Sequence, residues 1–122
     1  MRWMLVAVGL VAPSAVAAQG FLDDPGFYGT VSERRGDFVA TTRIEATRRG
    51  DRWYADVECE VTDPRTGRYA VHKGSGTLRR GGTRFVEGEI RPLGRLVLDT
   101  KDMSIAIGPM CAVGTLSVTA PD

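Results

Sequence analysis

Six arginines fall in two short windows of this chain. Arg48, Arg49 and Arg52 occupy one, and Arg79, Arg80 and Arg84 the other. Trp53 and Phe85 directly follow Arg52 and Arg84. A guanidinium group is a planar fork of donors suited to bidentate capture of carboxylate or phosphate. If the end carrying both windows is the open mouth of a barrel, six guanidinium groups ring it, and the chemistry on offer is recognition of a carboxylate or phosphate. The plainer reading is that hairpin tips carry charge for solubility, with Asp51, Asp99 and Asp102 partly neutralising them.

Two other groupings carry less. Asp56, Glu58 and Glu60 alternate along one stretch, and side chains two apart on a strand lie about 7 Å from each other. That spacing approaches some glycosidase carboxylate pairs. A solvated face paired with arginines such as Arg43 explains the ladder more simply. His72 is the single histidine. A zinc site needs three or four ligands, so no metal or other cofactor is expected, and His72 reads as a surface residue. No G-x-S-x-G, P-loop or H-E-x-x-H pattern occurs. A small hydrolase is therefore the least favoured function.

Cys59 and Cys111 are the two cysteines. Cys59 lies in W-Y-A-D-V-E-C-E-V, where Trp53, Ala55, Val57, Cys59 and Val61 share one parity and the polar residues the other. That is the signature of a half-buried strand. An inward cysteine in an exported chain reads as half of a bridge, and Cys111 is its partner.

Export is expected from the start of the chain. Arg2 is followed by an apolar run over 3–12, a Pro13-Ser14 break and the small residues 15–18. This resembles a signal peptide over 1–18 and is too short for a membrane span. The mature chain would comprise an N-terminal segment, 19–26, and a single β domain, 27–122. Removing Arg2 from a formal charge of +1 leaves zero. A nucleic-acid binder usually shows a basic surplus, so nucleic acid is not an expected partner. A periplasmic or secreted location follows.

After the leader no amphipathic helix stands out. Turn signals separate short β-rich runs at 27–32, 37–47, 52–61, 68–79, 83–90, 95–98, 103–107 and 114–119. About eight short strands joined by short connections predict an all-β antiparallel meander, closed or nearly closed into a small barrel. A two-sheet β-sandwich is the alternative. The fourth run changes phase between Val71 and Leu78, so a bulge is expected near Lys73-Gly74-Ser75-Gly76. Gly81-Gly82 predicts a two-residue hairpin.

Turns of a meander alternate between two ends. Counting strands places Cys59 and Cys111 at one end, with Met110, Ala112 and Val113 as a plug around them. Both arginine windows fall at the other end. Gly29, Ala40, Thr42, Ala46, Ala55 and Gly88 are small inward residues. They fit either a narrow core filled by Trp53, Phe38 and Phe85 or room for one small ligand. The functional expectation is an exported, non-enzymatic binding module of the cell envelope, for a small apolar or anionic ligand or an envelope protein. The alternative is an inhibitor or accessory subunit of a secreted enzyme, docking through a rigid loop or through Phe21-Leu22-Asp23-Asp24-Pro25.

Overall fold

The computed structural model describes residues 26–119. The leader and all of the N-terminal segment except Gly26 lie outside them. Nine strands form one antiparallel sheet: β1 (Gly26–Arg35), β2 (Phe38–Arg49), β3 (Arg52–Thr62), β4 (Tyr69–Gly81), β5 (Phe85–Ile90), β6 (Gly94–Asp99), β7 (Ser104–Ala106), β8 (Gly114–Thr115) and β9 (Ser117–Thr119). The spatial order is β8-β7-β6-β5-β4-β3-β2-β1-β9. The two outermost strands are consecutive in the chain and separated only by Leu116. The first half of this segment pairs with β7 and the second half with β1. The Leu116 amide donates to the Met103 carbonyl at 2.9 Å. One stretch of chain thus spans both edges, and the sheet becomes a nearly closed barrel. The expected last strand is present but divided at Leu116, which turns about eight strands into nine. The single sheet sets the sandwich alternative aside.

Alternation decides which face is which. Along β3, Trp53, Ala55, Val57 and Cys59 are buried, while Tyr54 and Asp56 are exposed. Their inward neighbours on β2 are Ala46, Ile44 and Thr42; outside, Arg43 lies opposite Glu58. Trp53, Phe27, Ile44, Leu78, Ile90, Leu96 and Leu98 are the large side chains enclosed. Burying each aliphatic one contributes about 1.5–3 kcal/mol. Phe38 and Phe85, expected inside, are exposed: Phe38 has the inward phase but stands at the end of its strand, and Phe85 is on the outward phase of β5, where Val86 and Ile90 are the buried residues.

No bulge interrupts β4. Its register against β3 is unbroken from Arg52↔Arg79 to Thr62↔Tyr69. The inward residues are therefore the even-numbered ones. Tyr69 and Val71 point outward, and His72 lies directly opposite Cys59 on the inward phase, half-buried rather than on the surface. Glycine explains why the apolar pattern lapses there. A Cβ on Gly76 would sit 2.1 Å from the Glu89 carbonyl oxygen, and one on Gly88 would sit 2.1 Å from that of Thr77. β4 and β5 come closer at this corner than side chains permit, so the inward positions are empty of Cβ atoms. At Gly29 the space is taken by Leu116, 3.2 Å from where a Cβ would be. These glycines permit close packing. Gly81 belongs to β4, and the hairpin loop is residues 82–84, not a two-residue turn.

Cys59 and Cys111 form a disulfide with a Cα–Cα distance of 5.0 Å. It ties the 108–113 loop across one pole of the barrel. Other bonds hold the same loop. Arg35 donates to the carbonyls of Pro109 and Cys111 at 2.7 and 2.6 Å. Val113 N–H donates to Glu33 at 3.0 Å, and Thr42 Oγ1 donates to the Ala112 carbonyl at 3.0 Å. Of the expected plug only Ala112 is buried; Met110 and Val113 are exposed at the rim. The β2–β3 and β4–β5 hairpins lie at the opposite pole.

Candidate anion-binding site

The six arginines share a pole but not a face. Cross-strand register sorts them. Trp53 is paired with Arg48 on β2 and with Leu78 on β4, all on the inward phase. Arg80 is two residues beyond Leu78 and has the same phase. The guanidinium carbons of Arg48 and Arg80 lie 5.1 and 5.6 Å from the Trp53 ring centroid. The ring itself is 1% exposed. This is cation–π packing over an indole that fills the end of the barrel. Arg48 also donates from Nε to the Gly50 carbonyl at 2.7 Å, bracing its own turn.

Arg84 is committed elsewhere. Its Nε and Nη2 lie 2.9 and 2.6 Å from Asp99 Oδ2, and its guanidinium carbon is 5.5 Å from the Phe85 ring. The Arg84 hydrogen bonds hold the Asp99 carboxyl below its usual range, and the carboxylate raises the guanidinium in return.

The remaining three make a line. Arg49 pairs directly with Arg52, and Arg52 with Arg79, on the outward phase of β2, β3 and β4. Among the described residues the row's nearest acidic contact is Asp51, 3.7 Å from Arg52 and itself 94% exposed at the turn. Glu87 lies opposite Arg79 but is ion-paired with Arg95. One ladder step toward the equator, Thr47, Tyr54 and Thr77 form a parallel outward row. A shallow pocket of about 320 Å³ here is lined by Arg49, Arg52, Trp53, Tyr54 and Thr77, with Arg79 and Thr47 beyond its lining.

Tyr54 and Thr77 were not legible as part of a site. Clustering in sequence drew attention to Trp53, whereas phase assigns the outer pocket to its neighbour. Tyr54 shares parity with Arg52, and Thr77 with Arg79, which is the signal that would have found them. The sequence clusters also merge the inward Arg48 and Arg80 with the outward Arg49, Arg52 and Arg79.

The carboxylate ladder is engaged by a cation. Arg43 Nη1 lies 3.5 Å from Glu58 and 3.2 Å from Glu60. A second outer pocket, about 330 Å³, includes Arg43, Glu45, Asp56, Glu58 and Lys73, so its walls carry both signs of charge. Among the described residues no group of three or more His, Cys, Asp or Glu side chains is placed to hold a metal ion. Nor, among those residues, is any helix long and apolar enough to cross a membrane.

Comparison with known proteins finds no matching family model, no matching curated protein and no matching solved structure.

Proposed function

We propose that this chain is an exported, non-enzymatic binding module that recognises an anionic ligand on the outer face of β2–β4. The observation that carries the reading is the uninterrupted line Arg49–Arg52–Arg79. Like charges directly opposite across a ladder destabilise a sheet, and an anion seated between them removes that cost. Bidentate forks at the top of the pocket would hold carboxylate, sulfate or phosphate. Tyr54 and Thr77 would meet the uncharged part of the ligand.

Export is supported by the leader-like residues 1–18 and is compatible with the Cys59–Cys111 bridge. An interior ligand has less support, because Trp53 fills one end of the barrel and the glycine spaces at positions 29, 76 and 88 are occupied.

The test is a titration of ¹⁵N-labelled protein with sulfate at low ionic strength. Saturable shifts should concentrate at Arg49, Arg52, Tyr54 and Thr77, and Arg52→Gln should abolish them. Shifts spread evenly over the surface, or unchanged in Arg52→Gln, would sink the proposal.

The inhibitor or accessory alternative has one observation in its favour. The 108–113 loop is pinned by a disulfide and four hydrogen bonds while Met110 projects 48% exposed. Such a loop binds with little ordering cost. It is turned rather than extended, since Cys111 N–H closes on the Gly108 carbonyl at 3.1 Å. It therefore suits a surface pocket on a partner better than insertion as a strand. A pull-down in which Met110→Ala captures the same envelope proteins as wild type would remove it. The other docking element of this alternative, residues 19–25, lies outside the described residues.

A further inference from the structure

We infer that the ligand is a linear acidic glycan, read as a chain of successive carboxylates or sulfates rather than as one small anion. This inference rests on the anion-binding reading above and concerns the same site.

The first argument is the shape of the charge. Arg49, Arg52 and Arg79 stand on three neighbouring strands in one ladder row. Neighbouring strands are about 4.8 Å apart, so the three Cα positions span roughly 10 Å across the sheet. A single carboxylate or sulfate engages one or two forks and leaves the third unsatisfied. A polymer with one negative group per repeat, at a repeat near the strand spacing, meets all three. A pyranose unit has about that length.

The second argument is what lies beside the charge. Thr47, Tyr54 and Thr77 run parallel to the arginine row, and all three side chains carry a hydroxyl group. A uronate or sulfated sugar presents acidic groups along one edge and hydroxyls along the other. Tyr54, 41% exposed, adds an aromatic ring for the C–H surface of one sugar. A polyphosphate has no hydroxylated body to place there. A single nucleic-acid strand stacks successive bases on several aromatic side chains, and this row has one.

The third argument is the geometry of the surface. The pocket beside the arginine row is shallow and lies along the outside of the sheet. A chain running across β2, β3 and β4 can enter and leave it. Linking several weak contacts along one ligand raises affinity without any new type of contact.

The experiment compares galacturonate, trigalacturonate and tripolyphosphate by calorimetry on the full chain at low salt. Trigalacturonate should bind at least tenfold tighter than galacturonate. Arg79→Gln should cost the trimer more affinity than the monomer. Tyr54→Leu should weaken trigalacturonate about tenfold and tripolyphosphate much less. Far-UV circular dichroism checks that each variant keeps its strands. Equal affinity for monomer and trimer would overturn the inference and leave the anion-binding reading standing. So would tripolyphosphate binding as tightly as trigalacturonate with Tyr54→Leu affecting neither, because charge alone would then be read. Failure of all three probes to bind would overturn both.

Discussion

Thr42 and Ala112 are 70 residues apart, yet the Thr42 hydroxyl donates to the Ala112 carbonyl at 3.0 Å inside the stapled pole. Both residues are fully buried. The same hydroxyl is 3.8 Å from Cys59 Sγ. A threonine on the inward phase of β2 is thus a structural link between an early strand and the last long loop. It satisfies a carbonyl that water cannot reach. Thr42→Val keeps the shape and strands that carbonyl, so it should lower unfolding free energy by about 1–3 kcal/mol. Urea denaturation measures this, and a change below 0.5 kcal/mol, roughly the floor for a hydrogen bond, would show the bond contributes nothing net.

The disulfide should act mainly on the unfolded chain. It joins residues separated by 52 positions, and closing such a loop is worth about 4 kcal/mol on the chain-entropy model. The double variant Cys59→Ala/Cys111→Ala should therefore unfold at much lower urea while its folded circular dichroism stays strand-like. The Arg35, Glu33 and Thr42 contacts should still direct the 108–113 loop to its pole. Loss of strand signal in buffer alone would mean that the core cannot stand without the bridge.

The β4–β5 corner makes a sharp prediction about a position with no side chain. A methyl group at Gly88 meets backbone on the neighbouring strand. Gly88→Ala should cost about 1–3 kcal/mol, because strands rather than a flexible side chain must move apart. Gly82→Ala is the comparison. Its Cβ meets nothing, but its φ of +93° disfavours alanine, so it separates backbone strain from collision. Equal melting points for Gly88→Ala and wild type would contradict the close approach.

Acid should loosen the molecule at two ion pairs whose carboxylates are partly buried. The Val113 amide, and then Arg35, hold the Glu33 carboxyl below its ordinary value; Arg84 does the same for Asp99. A carboxyl with a lowered folded-state pKa stabilises the fold above the ordinary carboxylate range. That contribution is lost as pH falls through the folded-state value. Urea midpoints should therefore fall from about pH 5 downward. Glu33→Gln should be less stable than wild type at pH 6 and converge on it in acid, below the folded-state value. Parallel pH profiles for the two proteins would show that Glu33 does not contribute.

Much of this architecture could be read from alternation alone. The W-Y-A-D-V-E-C-E-V stretch has one apolar and one polar phase, so its strand, its faces and the inward Cys59 followed directly. Strand counting then placed Cys111 at the same pole. β4 was harder. Its inward residues include His72, Gly74 and Gly76, which carry no hydrophobic signal, so the two outward apolar residues Tyr69 and Val71 set a misleading phase. The expected bulge was a repair for a break that does not exist. The site was half legible for a related reason. Arginines adjacent in sequence point to opposite faces of a strand, and only register shows that Arg49, Arg52 and Arg79 meet while Arg48 and Arg80 turn toward Trp53.

The split last strand also sets where the described residues begin and end. Gly26 is paired beside Thr47, and Thr119 beside Tyr28, so both lie toward the guanidinium-rich pole. A fluorophore, affinity tag or neighbouring domain attached directly beside Gly26 or Thr119 would sit near the arginine row. Immobilised by such a handle, the protein would turn its Met110 tip toward the bulk and shade Arg49 and Arg52. Capture through a lysine-selective linker at Lys101 would share that drawback, because its turn lies at the same pole. An anchor near Arg65, at the opposite pole, leaves the arginine row open.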